Sequence, residues 1–195
     1  TLTIQKHYKF NFRRKDNFEL LPFHNIGQTF NSLGLSFDQV KQFPDIGFRA
    51  KQFAYLDVED INYYEVPTPT SEIMYLTTLE QGQYLESFFT VNFSERFNAS
   101  IAYTGLRSLG KYRRSLVSQG NFRTTFQYRT KQGQYSIRGH ISSQDILNEE
   151  NGGLTPSSLE AFETGDENFS DRARLDVNLT NAENLLEGTR LYFEQ

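Results

Sequence analysis

The chain contains no cysteine and no tryptophan, and only 1 methionine and 5 prolines among its 195 residues. Without cysteine there is neither a disulfide framework nor thiolate chemistry. No stretch approaches the roughly 18 consecutive apolar residues of a membrane-spanning helix, which excludes a helical membrane protein. Glycine (13) and proline (5) are too few for a collagenous or disordered chain. A net charge of -4 and a sequence pI of about 5.4 argue against a bulk nucleic-acid binder. The first residues, Thr1 to Ile4, show no basic n-region or apolar h-region, so an exported form would already have lost its signal peptide.

What is abundant is the aromatic ring. The 18 Phe and 11 Tyr make up 15% of the chain, yet mean hydropathy is -0.61. Rings are therefore interleaved with polar residues rather than gathered into greasy runs. Charge, in contrast, is blocked. Residues 52–95 hold 8 acids and no Lys or Arg, residues 96–144 hold 9 bases and no acid, and residues 145–171 hold 8 acids and no base. Segregation of this kind ordinarily marks solvated faces of one sign.

Period-2 alternation dominates the pattern and predicts antiparallel strands. Phe97, Ala99, Ile101 and Tyr103 oppose Arg96, Asn98, Ser100 and Ala102. Phe122, Phe126 and Tyr128 oppose Arg123, Gln127 and Arg129, and Ile137 and Ile141 oppose Ser136, Arg138 and His140. Ala173, Leu175, Val177 and Leu179 oppose Arg172, Arg174, Asp176 and Asn178, and Ile4, Tyr8, Phe10 and Phe12 alternate in the same way near the start. Short links fall at 94–95, 131–134 and 81–83, the last pair is expected to turn between Asn181 and Gly188, and long loops are expected at 105–120 and 144–170. Short turns on one side and long loops on the other are the layout of an outer-membrane barrel. A soluble β-sandwich shows the same alternation with its rings turned inward. Sandwich strands mostly run to about five or six residues, and the longer runs here, with repeated Arg on their polar faces, favour the barrel. Residues 13–71 are less regular; 18–23 and 56–64 read as short strands.

Nothing in the chain reads as catalytic. His7, His24 and His140 are scattered without metal-ligand spacing, and Ser108 in the run 105–110 lacks the nucleophile-elbow pattern. The carboxylate pairs Glu149/Glu150 and Asp166/Glu167 lie in a polar loop with no apolar pocket to raise a pKa, and calcium is the weaker alternative there. The expectation is a non-enzyme that needs no metal and no cofactor.

Five segments, taken in order, carry a family resemblance: 16–34 (from Asp16 through Pro22, Gly27 and Gly34), 67–72 (Pro67, Pro69, Glu72), 81–83, 105–112 (Gly105, Leu106, Arg107, Ser108, Gly110, Tyr112) and 150–153 (Glu150, Asn151, Gly152, Gly153). Together they resemble a bacterial outer-membrane family of putative porins. The resemblance implies a transmembrane β-barrel in the outer membrane of a Gram-negative envelope, with its short turns toward the periplasm. The run at 189–194 stops at Gln195 without a terminal aromatic. The expectation is therefore a single all-β segment, 1–195, an antiparallel up-and-down meander that is the N-terminal part of a larger barrel and incomplete at its C-terminus.

If the rings meet lipid, Arg96, Arg123, Arg129, Arg138 and Arg174 face the lumen, where fixed positive charge favours anions. The expected function is transport: passive diffusion of small hydrophilic solutes, biased toward anions. The bland alternative pairs those arginines with the chain's own acids. Arg107, Lys111, Arg113 and Arg114 could grip lipopolysaccharide phosphates from the outer side, or fold over the barrel mouth against the acidic loop that follows. Expected partners are outer-membrane lipid and lipopolysaccharide, the solutes, and other envelope proteins, with no nucleic acid. Two rival readings are a non-conducting barrel subunit of a larger envelope assembly and a soluble carbohydrate-binding sandwich.

Overall fold

In the computed structural model, the described residues are 20–34, 53–78 and 81–195. The alternating run from Ile4 to Phe12, with His7, lies outside them. Two short strands, β1 (Leu20–Pro22) and β2 (Phe30–Ser32), pair with each other. The rest is one antiparallel meander: β3 (Thr70–Thr78), β4 (Gly82–Ser94), β5 (Phe97–Ser108), β6 (Val117–Arg129), β7 (Ser136–Glu150) and β8 (Ala182–Glu194), each beside its sequence neighbour. Among the described residues the protein is all-β apart from one helix, α1 (Pro156–Thr164), and single 3-10 turns. The sheet is open, with β3 and β8 at its edges.

Strands β4 to β8 are 12 to 15 residues long. A tilted β-strand crossing of a hydrocarbon layer takes only about 9–11 residues, and these strands exceed that length. The β4–β5 turn is tight at Glu95 and Arg96. Neither residue has the positive φ of a mirror-image hairpin turn, and a bulge between Asn92 and Ser94 absorbs the twist instead. At the β6–β7 turn, Gly133 takes φ +70° and donates its N–H to the Thr130 carbonyl at 2.9 Å.

The sheet is inside-out relative to a soluble domain. On one face Ile73, Leu191 and Phe193 are 76%, 64% and 57% exposed, with Phe89, Ile101, Tyr103, Phe122 and Ile141 beside them. The register places these side chains side by side: Phe89, Ile101, Thr124, Ile141 and Leu191 form one cross-strand row. No second sheet covers them among the described residues. On the opposite face Thr90, Asn98, Thr125, His140, Ser142 and Gln144 are buried. Residues of 20–34 and 53–66 bury them by lying across that inner face. Among the described residues Phe89, Phe122 and Phe193 do not turn into a shared interior, as the rival sandwich reading requires.

The sequence expectation fails at some element ends. Strand β5 continues to Ser108 and β6 begins at Val117, so the expected loop 105–120 shrinks to 109–116. Gly105 and Gly120, which read as loop residues, pair with each other inside the sheet. The Tyr103 ring lies where a Gly105 side chain would point, and the Asp145 carboxylate does the same at Gly120. Residues 172–179 are not a strand. Arg172–Arg174 is a 3-10 turn, and Leu175 and Val177 are the buried centre of the β7–β8 loop. Strand β8 runs straight through the expected turn at 181–188, where Gly188 makes room for the Tyr55 ring from the inner layer. Residues 56–64 form one 3-10 turn (Val58–Asp60), closed by reciprocal bonds of Asp57 and Asp60, followed by main chain that joins no sheet.

Candidate functional site

The candidate site is the inner face and the segments held on it. Segment 23–29 sits near the long-loop end. The Asn25 amide donates to the carbonyls of Ser115 (2.7 Å) and Ser108 (3.3 Å) and accepts from the Ser108 hydroxyl (2.8 Å). Gly27, at φ +84°, lies directly against Leu106 and Val117, where any side chain would collide, and its carbonyl accepts from the Gln119 amide. Beneath it Tyr84, Leu106 and Val117 make a small apolar cluster with Ile26 and Met74. His24 packs edge-on to the Tyr112 ring at 5.2 Å, and burial pushes its pKa below the ordinary value, favouring the neutral imidazole.

Segment 56–66 crosses the middle of the wall, and wall side chains grip its main chain. Gln144 accepts from the Leu56 N–H and donates to the Leu56 carbonyl, both at 2.9 Å, and Arg190 donates to the same carbonyl at 2.8 Å. Gln127 donates to the Tyr64 carbonyl at 2.5 Å, and Asn92 accepts from the Val66 N–H at 3.4 Å. Tyr64 packs on Phe88 with ring centroids 4.4 Å apart. His140 links both partners: Arg190 Nε lies 3.0 Å from its Nε2 and the Tyr63 hydroxyl 2.8 Å from its Nδ1. A guanidinium can only donate, so Nε2 is the bare nitrogen and Nδ1 carries the proton, donated to Tyr63. Tyr192 stacks on the other side of the imidazole at 5.1 Å.

Of the five arginines expected in the lumen, three carry inner-face parity. Arg123 is half-buried beside a cavity of about 130 Å³ that Glu86 also lines. It donates to the Thr104 hydroxyl (3.3 Å) and the Asn121 carbonyl oxygen (3.0 Å), and among the described residues no carboxylate stands within 4 Å of it. Arg138 is tied to Glu194 at 2.7 Å and lies over the Tyr63 ring. Arg129 ends β6 and borders, with Arg96, Arg138, Glu65 and Glu95, a vestibule of about 360 Å³ at the short-turn rim. Arg96 itself sits in the β4–β5 turn. Arg174 stands apart, in the β7–β8 loop, donating to the Asn168 carbonyl. Arg190 shares the inner-face parity; it lies in the alternating run 189–194 but was not among the arginines expected in the lumen.

At the loop end Arg113 pairs with Asp176 at 2.5 Å and donates to the Ala173 carbonyl, and Arg114 pairs with Glu149 at 2.7 Å. Lys111 also lies in this loop, and Arg107 is on the outward face of β5. The basic loop is thus folded onto the acidic one. The Arg113–Asp176 pair is exposed, so Asp176→Asn should cost only about 0.2–1 kcal/mol, an effect that fades with added salt. Thermal melts at low and high ionic strength check this.

No curated protein and no solved structure gives a significant match to the chain. The family of putative porins matches residues 1–195, the whole chain, and the protein belongs to that family.

Proposed function

We propose that this chain builds wall of an outer-membrane conduit through which small hydrophilic solutes diffuse passively, with a bias toward anions. The observation that carries the reading is the sheet's polarity: its outward face exposes rings and aliphatic side chains, while hydroxyls, amides and an imidazole are buried on the inner face beside a small apolar cluster. Such a surface is stable only where lipid replaces water outside. In that setting the open edges of β3 and β8 require further strands, since unpaired backbone groups in hydrocarbon cost several kcal/mol each. Arg123 supplies the bias. Among the described residues it is bound to neutral oxygens and has no direct ion pair, whereas Arg138 is offset by Glu194. Membership of the porin family supports the same reading.

The test is planar-bilayer conductance across a KCl gradient. Arg123→Gln with Arg129→Gln should move the reversal potential toward cation preference; an unchanged value rejects the anion bias. One observation favours a second reading, a non-conducting subunit of an envelope assembly: segments 23–29 and 56–66 occupy the inner face. Folded protein that carries no current in any variant would select it.

A further inference from the structure

Every anchor between the wall and segment 56–66 described above, apart from the Tyr63 hydroxyl and the ring packing, goes to main-chain atoms. Gln144 reads both the N–H and the C=O of Leu56, and Gln127 and Asn92 take a C=O and an N–H two residues apart. Peptide-binding sheets likewise hold an added strand by its main chain; here side-chain amides replace the sheet edge, and the 3-10 turn Val58–Asp60 lies between the two gripped ends. Contacts of this kind are indifferent to the side chains of the bound segment. Charge is not indifferent: the segment carries Asp57, Glu59, Asp60 and Glu65, while the wall beneath it from β6 to β8 presents Arg123 and Arg190, with Arg138 already paired to Glu194. The Arg190 guanidinium lies 4.0 Å from the Asp57 carboxylate.

We propose that the inner wall is a binding site for acidic peptide held by its main chain, and that residues 56–66 are its built-in occupant. The inference rests on the inner face being a lumen, and it names a cargo that a diffusion pore alone does not. A tethered occupant acts at an effective concentration in the millimolar range for a short flexible linker. An incoming peptide must therefore outcompete it, and weakening the occupant without touching the wall must strengthen binding of the competitor.

The experiment uses the full chain in detergent micelles and a fluorescein-labelled synthetic peptide with the sequence of residues 55–66, which includes Leu56, read by anisotropy. Asp57→Asn with Asp60→Asn loosens the occupant and should tighten the peptide Kd by about tenfold, equivalent to about 1.4 kcal/mol. Tyr63→Phe, which removes only the hydroxyl bond to His140, should act in the same direction. Arg190→Gln in the loosened protein should reverse the gain. A peptide of the same sequence with N-methylated amides and a lysine-substituted peptide should both fail to bind, and citrate should not compete. Equal binding of the N-methylated peptide, full competition by citrate, or unchanged affinity in both loosened variants overturns the proposal. Ion conductance is read separately. Current without peptide binding defeats this inference and leaves the conduit standing, and peptide binding without current does the reverse.

Discussion

Ile101→Arg should destabilise the protein in a bilayer by about 2–4 kcal/mol, the cost of a cation on the lipid side of a barrel near the midplane. Ile101 sits in the middle of the outward row between Phe89 and Thr124 and is 47% exposed. That exposure makes the result diagnostic. In a water-soluble domain, a half-exposed surface residue away from special features tolerates such a change within about 0.5 kcal/mol. Urea unfolding in phospholipid vesicles, with Ile101→Leu as the control, separates the two. A midpoint for Ile101→Arg that matches wild type would mean the outward rings face water or another protein, and both the conduit and the membrane wall would fall together. At Leu185, further along the strands and opposite Leu147 beside Glu149 and Glu183, the same charge should cost less, because the penalty falls toward the interface.

The centres of the long strands were legible because alternation is a direct consequence of the pleat: Phe97 to Tyr103, Phe122 to Tyr128 and Ile137 to Ile141 all lie where the period-2 reading puts them. The division of side chains between the two faces was legible too: the rings of Phe97, Phe122 and Tyr128 fall on one face of the sheet, and Arg123 and Arg138 on the other. Strand ends were not. Gly105, Gly120 and Gly188 are turn residues by their backbone freedom, yet each sits inside a strand because a neighbouring side chain (Tyr103, Asp145, Tyr55) needs the space. Alternation at 172–179 misled in the opposite way. Leu175 and Val177 alternate because they bury one side of an ordered loop, where Val177 makes a single antiparallel bridge to Leu154 and joins no named strand. The inner layer left the weakest sequence signal. Segment 56–64 has a strand-like pattern, but its main chain is satisfied largely by amide and guanidinium side chains from distant strands, a pairing that no local periodicity records.

Gln144→Leu should release that inner layer. The side chain is 3% exposed and satisfies three groups: the Leu56 N–H, the Leu56 carbonyl, and the Asn121 amide at 2.6 Å. Leucine has similar volume, so the wall keeps its packing, and the Leu56 carbonyl keeps Arg190. Two donors, the Leu56 N–H and the Asn121 Nδ2, lose their partner in a buried setting at about 1–3 kcal/mol each. The wall cannot relieve this by unfolding, because β7 is paired along its length with β6 and β8. The inexpensive relief is for residues 56–66 to detach and hydrate, since they belong to no sheet. The whole effect, about 2–5 kcal/mol with partial relaxation, should therefore be read as local opening. Hydrogen exchange at Leu56 and Val66 should accelerate while exchange at Thr125 and Ser142 stays at the wild-type rate, and single-channel conductance should rise as the lumen clears. Equal acceleration at all four amides would show that the segment is part of the barrel's cooperative core, and that it does not come away on its own.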